Sequence, residues 1–174
     1  MLGICGGHQM LARTITDDVE SRAGTVAGLG LLPADVAFAR EKTLGRPAGT
    51  ALGHPVRGYE IHHGQVTYDR DTTPPTQPFL DGGRVGSVWG TTWHGALEND
   101  GFRRAFLAEV ARAAGRRFVP APDTSFAAVR ERRLDALGDL VAEHADTGAL
   151  WRLLEEGPPG GLPLLPPGDA LGPR

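Results

Sequence analysis

The first eleven residues, Met-Leu-Gly-Ile-Cys-Gly-Gly-His-Gln-Met-Leu (residues 1–11), determine the predicted fold class. The apolar residues before Cys5 are typical of the end of a buried strand, and the residues from Gln9 onward are typical of an apolar helix start. The glycines around Cys5 favour a tight strand-to-helix turn, because the chain there passes close to its neighbours without Cβ atoms. This order predicts an α/β fold with Cys5 at the carboxyl end of a strand.

Cys5 is the only cysteine among the 174 residues, which excludes an intrachain disulfide and a thiolate-rich zinc site. Such a residue is either an inert core cysteine in a glycine-rich turn or a nucleophile. The predicted turn supports the nucleophile, because the unpaired N–H groups at a helix N-terminus stabilise a thiolate. The backbone N–H of Gly6 is also placed to donate to an oxyanion.

A cysteine nucleophile needs a base, and the chain has six histidines. They are His8, His54, His62, His63, His94 and His144. His94 follows a β-prone run from Val85 and precedes a predicted helix, so it is expected at the same sheet edge as Cys5. Considered without Cys5, His94 is an ordinary loop histidine.

The segment Tyr-Glu-Ile-His-His-Gly at residues 59–64 is a second candidate site element. As a strand, it places Glu60 and His62 on one face and His63 on the other. The adjacent histidines therefore cannot both face one metal ion without a bulge, and no metal site is predicted. A polar strand face at the surface is the alternative interpretation.

The rest of the chain divides into a β-prone region and a helical region. Short β-prone runs separated by Gly and Pro turns occur at residues 36–38, 52–56, 59–63 and 85–93, with a predicted exposed loop at 72–78. Asn99, Ser125 and Asp146 each precede an apolar helical pattern and are predicted N-caps.

The composition is that of a globular chain, with 40% hydrophobic and 22% charged residues and a formal net charge of -3. No apolar run is long enough to span a bilayer, and no secretion signal is recognisable, so a cytoplasmic location without membrane contact is expected. Lys42 is the only lysine and no basic cluster is evident, so nucleic acid is not an expected partner.

Together these segments resemble the class I glutamine amidotransferases. Residues 3–11 are similar to the nucleophile segment of that family, and three further segments are similar to its cobalamin branch. They are Gly-Tyr-Glu-Ile-His-His-Gly at 58–64, Gly-Thr-Thr-Trp-His-Gly at 90–95, and Phe-Val-Pro-Ala-Pro at 118–122 followed by Leu-Asp-Ala-Leu at 134–137. The last of these resembles the C-terminal helices of the cobyric acid synthases.

The resemblance implies a partial flavodoxin-like α/β domain with a mostly parallel sheet. It assigns residues 1–118 to the amidotransferase domain and residues 119–156 to a C-terminal helical segment of the same domain. The Gly/Pro-rich residues 157–174 are predicted to form a disordered tail.

The resemblance also implies the roles of individual residues in an enzyme that takes ammonia from glutamine. Cys5 would form the glutamyl thioester, with His94 as its general base and Gly6 in the oxyanion hole. Gln9 would hold the substrate glutamine, and Glu60 and His62 would line the site.

The partners implied by the resemblance are glutamine, a corrin substrate and an ammonia-accepting synthetase domain that uses ATP and Mg²⁺. The chain contains no Gly-x-x-x-x-Gly-Lys-Ser/Thr phosphate loop, so no cofactor is expected within it. Further strands, a second oxyanion donor and the synthetase domain are expected upstream of Met1, and the fragment is expected to be inactive alone.

One departure from the family concerns the residue that orients the base. Many class I amidotransferases have His-Pro-Glu, whose Glu orients the His, but here Ala96 stands two positions after His94 and the spacing of Glu98 does not match. Cys5 and His94 would then act as a dyad or use another orienting residue. The alternatives are an amidotransferase subunit acting on a peptidoglycan precursor and a non-catalytic remnant.

Overall fold

The computed structural model describes residues 1–69 and 71–163 as a mixed α/β protein. The chain divides into two compact units, one at Met1–Ala127 and one that begins at Ala128. The predicted boundary at residues 118/119 stays a prediction. Residues 164–174 of the predicted tail lie outside the described residues, and residues 157–163 form neither helix nor strand.

Ten strands and four helices make up the described parts of the chain. The strands are β1 (Leu2–Ile4), β2 (Thr14–Asp17), β3 (Gly24–Ala27), β4 (Ala34–Gly45), β5 (Ala48–Ala51), β6 (His54–Arg57), β7 (Glu60–Tyr68), β8 (Gln77–Phe79), β9 (Gly82–Val85) and β10 (Val88–Thr91). The helices are α1 (Gly6–Met10), α2 (Asp100–Ala113), α3 (Phe126–His144) and α4 (Thr147–Glu156), with a 3₁₀ turn at Ala96–Glu98. None of these helices is long and apolar enough to cross a membrane.

The strands form two four-stranded sheets and one hairpin. The first sheet has the order β1-β10-β9-β8, the second has the order β3-β2-β4-β7, and β5 pairs with β6. The α/β class is confirmed, but the pairing in the described residues is mixed and not mostly parallel. Only β1 with β10 and β2 with β4 run parallel there, because tight turns join most neighbouring strands as hairpins.

The larger core lies between the first sheet and α2. Its buried members are Ala51, Val56, Phe79, Trp89, Trp93, Ala96, Phe102 and Phe106. The aromatic rings meet edge to face, with 4.9 Å between the centroids of Phe79 and Trp89 and 5.5 Å between those of Trp89 and Phe106. This geometry is favoured by the ring quadrupoles and fixes β10 against α2.

The predicted helix starts are placed correctly, but their capping differs. Asp146 caps α4 by accepting a hydrogen bond from the Ala149 N–H at 2.9 Å, as predicted. Asn99 occupies the N-cap position of α2 without capping it, because its side chain binds both the N–H and the carbonyl of Arg57. Asn99 thus ties β6 to the start of α2. Ser125 directly precedes α3, and its cap stays a prediction.

Candidate active site

Cys5 lies in a strained turn between β1 and α1. Its φ of 49° and ψ of −112° form a conformation that residues with a side chain rarely adopt. The Cys5 N–H donates to the carbonyl of Thr91 at 2.9 Å, and the Gln9 N–H donates to the carbonyl of Cys5 at 3.0 Å. The predicted strand-turn-helix geometry around Cys5 is therefore present in the structure.

Gly3 allows α1 to pack directly on β1. A Cβ atom at Gly3 would lie 2.6 Å from the carbonyl oxygen of Gly7 and 2.6 Å from Cδ1 of Leu11. Gly6 is the first residue of α1, where backbone N–H groups have no acceptor within the helix. The close contact at Gly3 therefore places unpaired helix donors next to the end of β1.

His94 follows the end of β10, the strand that runs parallel to β1. Ile4 is the register partner of Thr91, so the segments that carry Cys5 and His94 leave the sheet at the same edge. Within residues 1–69 and 71–163, Nε2 of His94 is buried and has no hydrogen-bond partner. The predicted common edge is thus observed, and the proton-transfer role stays a prediction.

A carboxylate supports the turn that leads from β10 to His94. Asp81 accepts hydrogen bonds from the Thr91 hydroxyl at 2.5 Å, from the Thr92 N–H at 3.1 Å and from the Thr92 hydroxyl. The Thr91 hydroxyl oxygen in turn accepts from the N–H of Trp93 at 3.1 Å. Asp81 therefore fixes the backbone just before His94.

The other predicted site residues lie in two layers. Glu60 is at the edge, where its carboxylate lies 3.5 Å from the Thr92 hydroxyl oxygen. His62 is 9% exposed and donates from Nδ1 to the Gly64 carbonyl at 2.9 Å. Gln9 is 8% exposed and packs on Gly64, where an added Cβ would lie 2.5 Å from its Nε2. The structure thus brings Glu60 near the His94 segment and buries Gln9 and His62 behind it.

His8, one of the six candidate bases, is buried at 1% exposure and holds the Tyr68 hydroxyl at 2.7 Å through Nε2. Burial lowers the pKa of His8, the negative charge of Asp81 partly offsets this by raising it, and His62 lowers it further. His8 is therefore held neutral inside the fold, which is a structural role.

Replacing His8 with glutamine is expected to flatten the stability curve on the acid side. Because the pKa of His8 is lower in the folded chain, the unfolded chain takes up that proton first as the pH falls. Native His8 therefore reduces stability progressively below about pH 6.5 and has no pH-dependent effect well above it. We expect the drop in melting temperature between about pH 7.5 and about pH 5.5 to shrink by about 2–4 °C in His8→Gln.

The control is His144→Gln, because His144 is exposed near the end of α3. This variant should keep the full acid-dependent drop. An undiminished drop in His8→Gln would show that His8 is not the buried neutral group described above.

Sequence reasoning assigns no role to Tyr59 or Asp81, although both contact the His94 segment. Asp81 lies between β8 and β9 and directly precedes a Gly-Gly pair, a pattern that indicates only turn chemistry. Tyr59 directly precedes the predicted site residue Glu60, and this position is the one feature of the sequence that indicates a role for Tyr59 at the site.

Comparisons with known proteins agree with this geometry. Residues 1–102 match the family described as the CobB/CobQ-like glutamine amidotransferase domain. This match covers more than half of the chain and includes both Cys5 and His94.

Among curated proteins, the chain is 67% identical over 168 residues to a cobyric acid synthase of Streptomyces coelicolor and 68% identical over 168 residues to one of Streptomyces avermitilis. A cobyric acid synthase of Frankia casuarinae is 64% identical over 170 residues. Each match covers 97% of this chain and 32% of the relative, so the chain spans about a third of their length. On the family match over residues 1–102, the chain belongs to the CobB/CobQ-like glutamine amidotransferase domain family.

Proposed function

We propose that this chain is the glutaminase part of a cobyric acid synthase and releases ammonia from glutamine through a Cys5 thioester. The observation that carries the proposal is the strained Cys5 turn, which begins at the same sheet edge as the segment carrying His94. A nucleophile in a strained strand-to-helix turn, with a histidine carried to the same sheet edge, is an arrangement that supports cysteine-dependent acyl transfer.

In the proposed reaction, His94 takes the proton of the Cys5 thiol, and the resulting thiolate attacks the side-chain amide carbon of glutamine. The tetrahedral intermediate collapses when the C–N bond breaks, and His94 gives the leaving nitrogen its proton, so that ammonia departs and a glutamyl thioester remains. His94 then takes a proton from water, whose oxygen attacks the thioester carbon; the C–S bond breaks, glutamate leaves, and the Cys5 thiolate is regenerated beside a protonated His94. The buried, unpaired Nε2 of His94 is the atom proposed to carry this proton.

Oxyanion stabilisation is assigned to the N–H of Gly6. Gly6 is the first residue of α1, and the preceding Cys5 N–H is already used by the Thr91 carbonyl. A developing negative charge at this helix start would meet the unpaired donor and the positive end of the helix dipole.

Gln9, Glu60 and His62 are proposed to line the glutamine site, with different degrees of contact. Glu60 sits beside Thr92 at the sheet edge and is positioned to meet the amino group of the substrate. Gln9 and His62 are almost fully buried and support the site from behind.

The acceptor chemistry belongs to the rest of the proposed enzyme. The relatives are cobyric acid synthases about three times as long as this chain, and we propose that a synthetase domain uses ATP and Mg²⁺ to pass the ammonia to corrin carboxylates. The sequence contains no Gly-x-x-x-x-Gly-Lys-Ser/Thr phosphate loop, and ATP binding is accordingly assigned in this proposal to the synthetase domain. The high identity to these relatives favours this acceptor over a peptidoglycan precursor.

Labelling with diazo-oxonorleucine, a glutamine analogue with an electrophilic carbon, tests the proposed nucleophile. It is applied to the chain alone and to a fusion, called the joined protein. The joined protein links this chain to the part of the Streptomyces coelicolor relative that the match does not cover. We expect one label per chain, located on Cys5 by mass spectrometry and blocked by excess glutamine. A label on another residue, or none in the joined protein, would contradict the proposal and leave the non-catalytic remnant as the better description.

A further inference from the structure

We propose that Tyr59 is the positioning residue for His94 and holds its imidazole by stacking. This inference rests on the proposed role of His94 as the base. The two rings are nearly parallel, with 11° between their planes and 4.9 Å between their centroids. No role for this tyrosine follows from the sequence alone.

The backbone forces the two rings to meet. The Tyr59 N–H donates to the carbonyl of His94 at 3.0 Å, and the His94 N–H donates to the carbonyl of Tyr59 at 2.9 Å. Together these bonds make an isolated antiparallel bridge, in which the side chains of the paired residues project on the same side. The stack is therefore fixed by main-chain geometry.

Gly58 makes this close approach possible. A Cβ atom at Gly58 would lie 2.7 Å from the carbonyl oxygen of His94 and 3.0 Å from Cβ of Trp93. A residue with a side chain at this position would push the two segments apart. The Gly-Tyr pair thus forms a fitted support for the His94 segment.

Stacking can orient the base without binding either of its nitrogens. A carboxylate orients a histidine through a hydrogen bond to one ring nitrogen, whereas Tyr59 covers the flat face and restrains rotation of the ring. The edge with Nε2 stays unbound, since this atom has no partner in the part of the chain that the structure describes. The residue two positions after His94 is Ala96, which has no carboxylate, whereas the carboxylate of Glu98 lies next to Gly95, with Oε1 3.6 Å from an ideal Cβ there.

The exposure of Tyr59 makes its contribution separable from that of the core. Tyr59 is 49% exposed, so one face of the ring rests on His94 and much of the remainder meets solvent. Ile61, two residues further along in β7, is 48% exposed and serves as a matched control for loss of an exposed apolar side chain.

The test compares Tyr59→Leu, Tyr59→Phe and Ile61→Ala by glutamate release in the joined protein. We expect Tyr59→Leu to lower kcat on the order of tenfold to a hundredfold with KM within about twofold, because a mispositioned base slows the chemistry and leaves binding intact. Tyr59→Phe keeps the ring and should remain within about twofold of the parent, as should Ile61→Ala. Leucine keeps an apolar cover, so the variant should fold.

A second readout needs no activity and is made on the 174-residue chain. The Tyr59 ring current should shift the His94 ring protons upfield in the parent and in Tyr59→Phe, and the shift should vanish in Tyr59→Leu. Absence of the shift in the parent, a kcat for Tyr59→Leu equal to that of Ile61→Ala, or a change in KM alone would each overturn the positioning role. Full glutaminase activity in His94→Ala would instead overturn the proposed function itself.

Discussion

Replacing Cys5 with serine is expected to lower glutamate release on the order of a thousandfold or more, because a hydroxyl is a far weaker nucleophile than a thiolate and the thioester cannot form. The change replaces one sulfur by oxygen in a turn whose backbone is held by Thr91 and Gln9. Folding should therefore be preserved. The measurement is glutamate release by the joined protein, with the melting temperature recorded for each variant.

Met10→Ser provides the matched control for Cys5→Ser. Met10 is the last residue of α1 and is 57% exposed. Met10→Ser therefore introduces a serine at the C-terminal end of the helix that Cys5 precedes, and it measures the effect of a serine there on glutamate release. Met10→Ser should retain the parent rate. If Cys5→Ser also releases glutamate at the parent rate, the nucleophile is another residue and the thioester mechanism is wrong.

Replacing His94 with alanine is expected to separate the two nitrogen sources of the joined protein. Synthesis driven by glutamine should fall on the order of a hundredfold to ten-thousandfold, which is the usual contribution of a general base. Synthesis driven by ammonium salts should stay within about twofold, because free ammonia bypasses the thioester chemistry. Both rates are measured as ATP-dependent amide formation on the corrin substrate.

His54→Ala is the control for His94→Ala. His54 begins β6, and its ring lies beside Gly101 of α2, with Nδ1 2.9 Å from an ideal Cβ at Gly101. The substitution His54→Ala therefore removes an imidazole from the same unit at a place away from the Cys5 turn. His54→Ala should support both nitrogen sources equally. Equal losses with glutamine and with ammonium in His94→Ala would assign His94 a structural role.

The features that the sequence predicts well are encoded locally. The Gly-Ile-Cys-Gly-Gly turn depends on residues within a few positions of Cys5, and so does the cap that Asp146 provides for α4. Each requires only a short pattern whose physical reason lies in the same turn of chain. The α/β class and the place of Cys5 could therefore be predicted from the sequence alone.

The sheet pairing could not be predicted in the same way. The β-prone runs at 52–56 and 85–93 each contain a hairpin turn. Leu52 and Gly86 lie in these turns with positive φ values of 52° and 58°, and the next strands begin at His54 and Val88. Leucine at positive φ has no sequence signature, since its side chain opposes that conformation. The mixed pairing follows from such turns and is fixed by tertiary contacts.

The candidate site shows the same division between local and distant information. Cys5 and His94 stand out through their motifs, whereas the stack of Tyr59 on His94 depends on a bridge between segments far apart in the chain. Asp81 is likewise recognisable only once β9 and β10 are paired. Residues that contact a candidate site residue from a distant part of the sequence are recognised in the structure and not in the sequence.

The pairing of β1 with β10 also determines when, during folding, the positive-φ turn at Cys5 can form. The amino group of Met1 donates to the carbonyl of Ser87, 86 positions away, and closing a loop of that length costs chain entropy, so this ladder is expected to form late. Before Thr91 arrives, no carbonyl accepts the Cys5 N–H and nothing offsets the cost of its positive φ. A partly folded chain therefore holds Cys5 in an ordinary backbone conformation, and the turn proposed for the nucleophile is complete only when β1 has paired with β10.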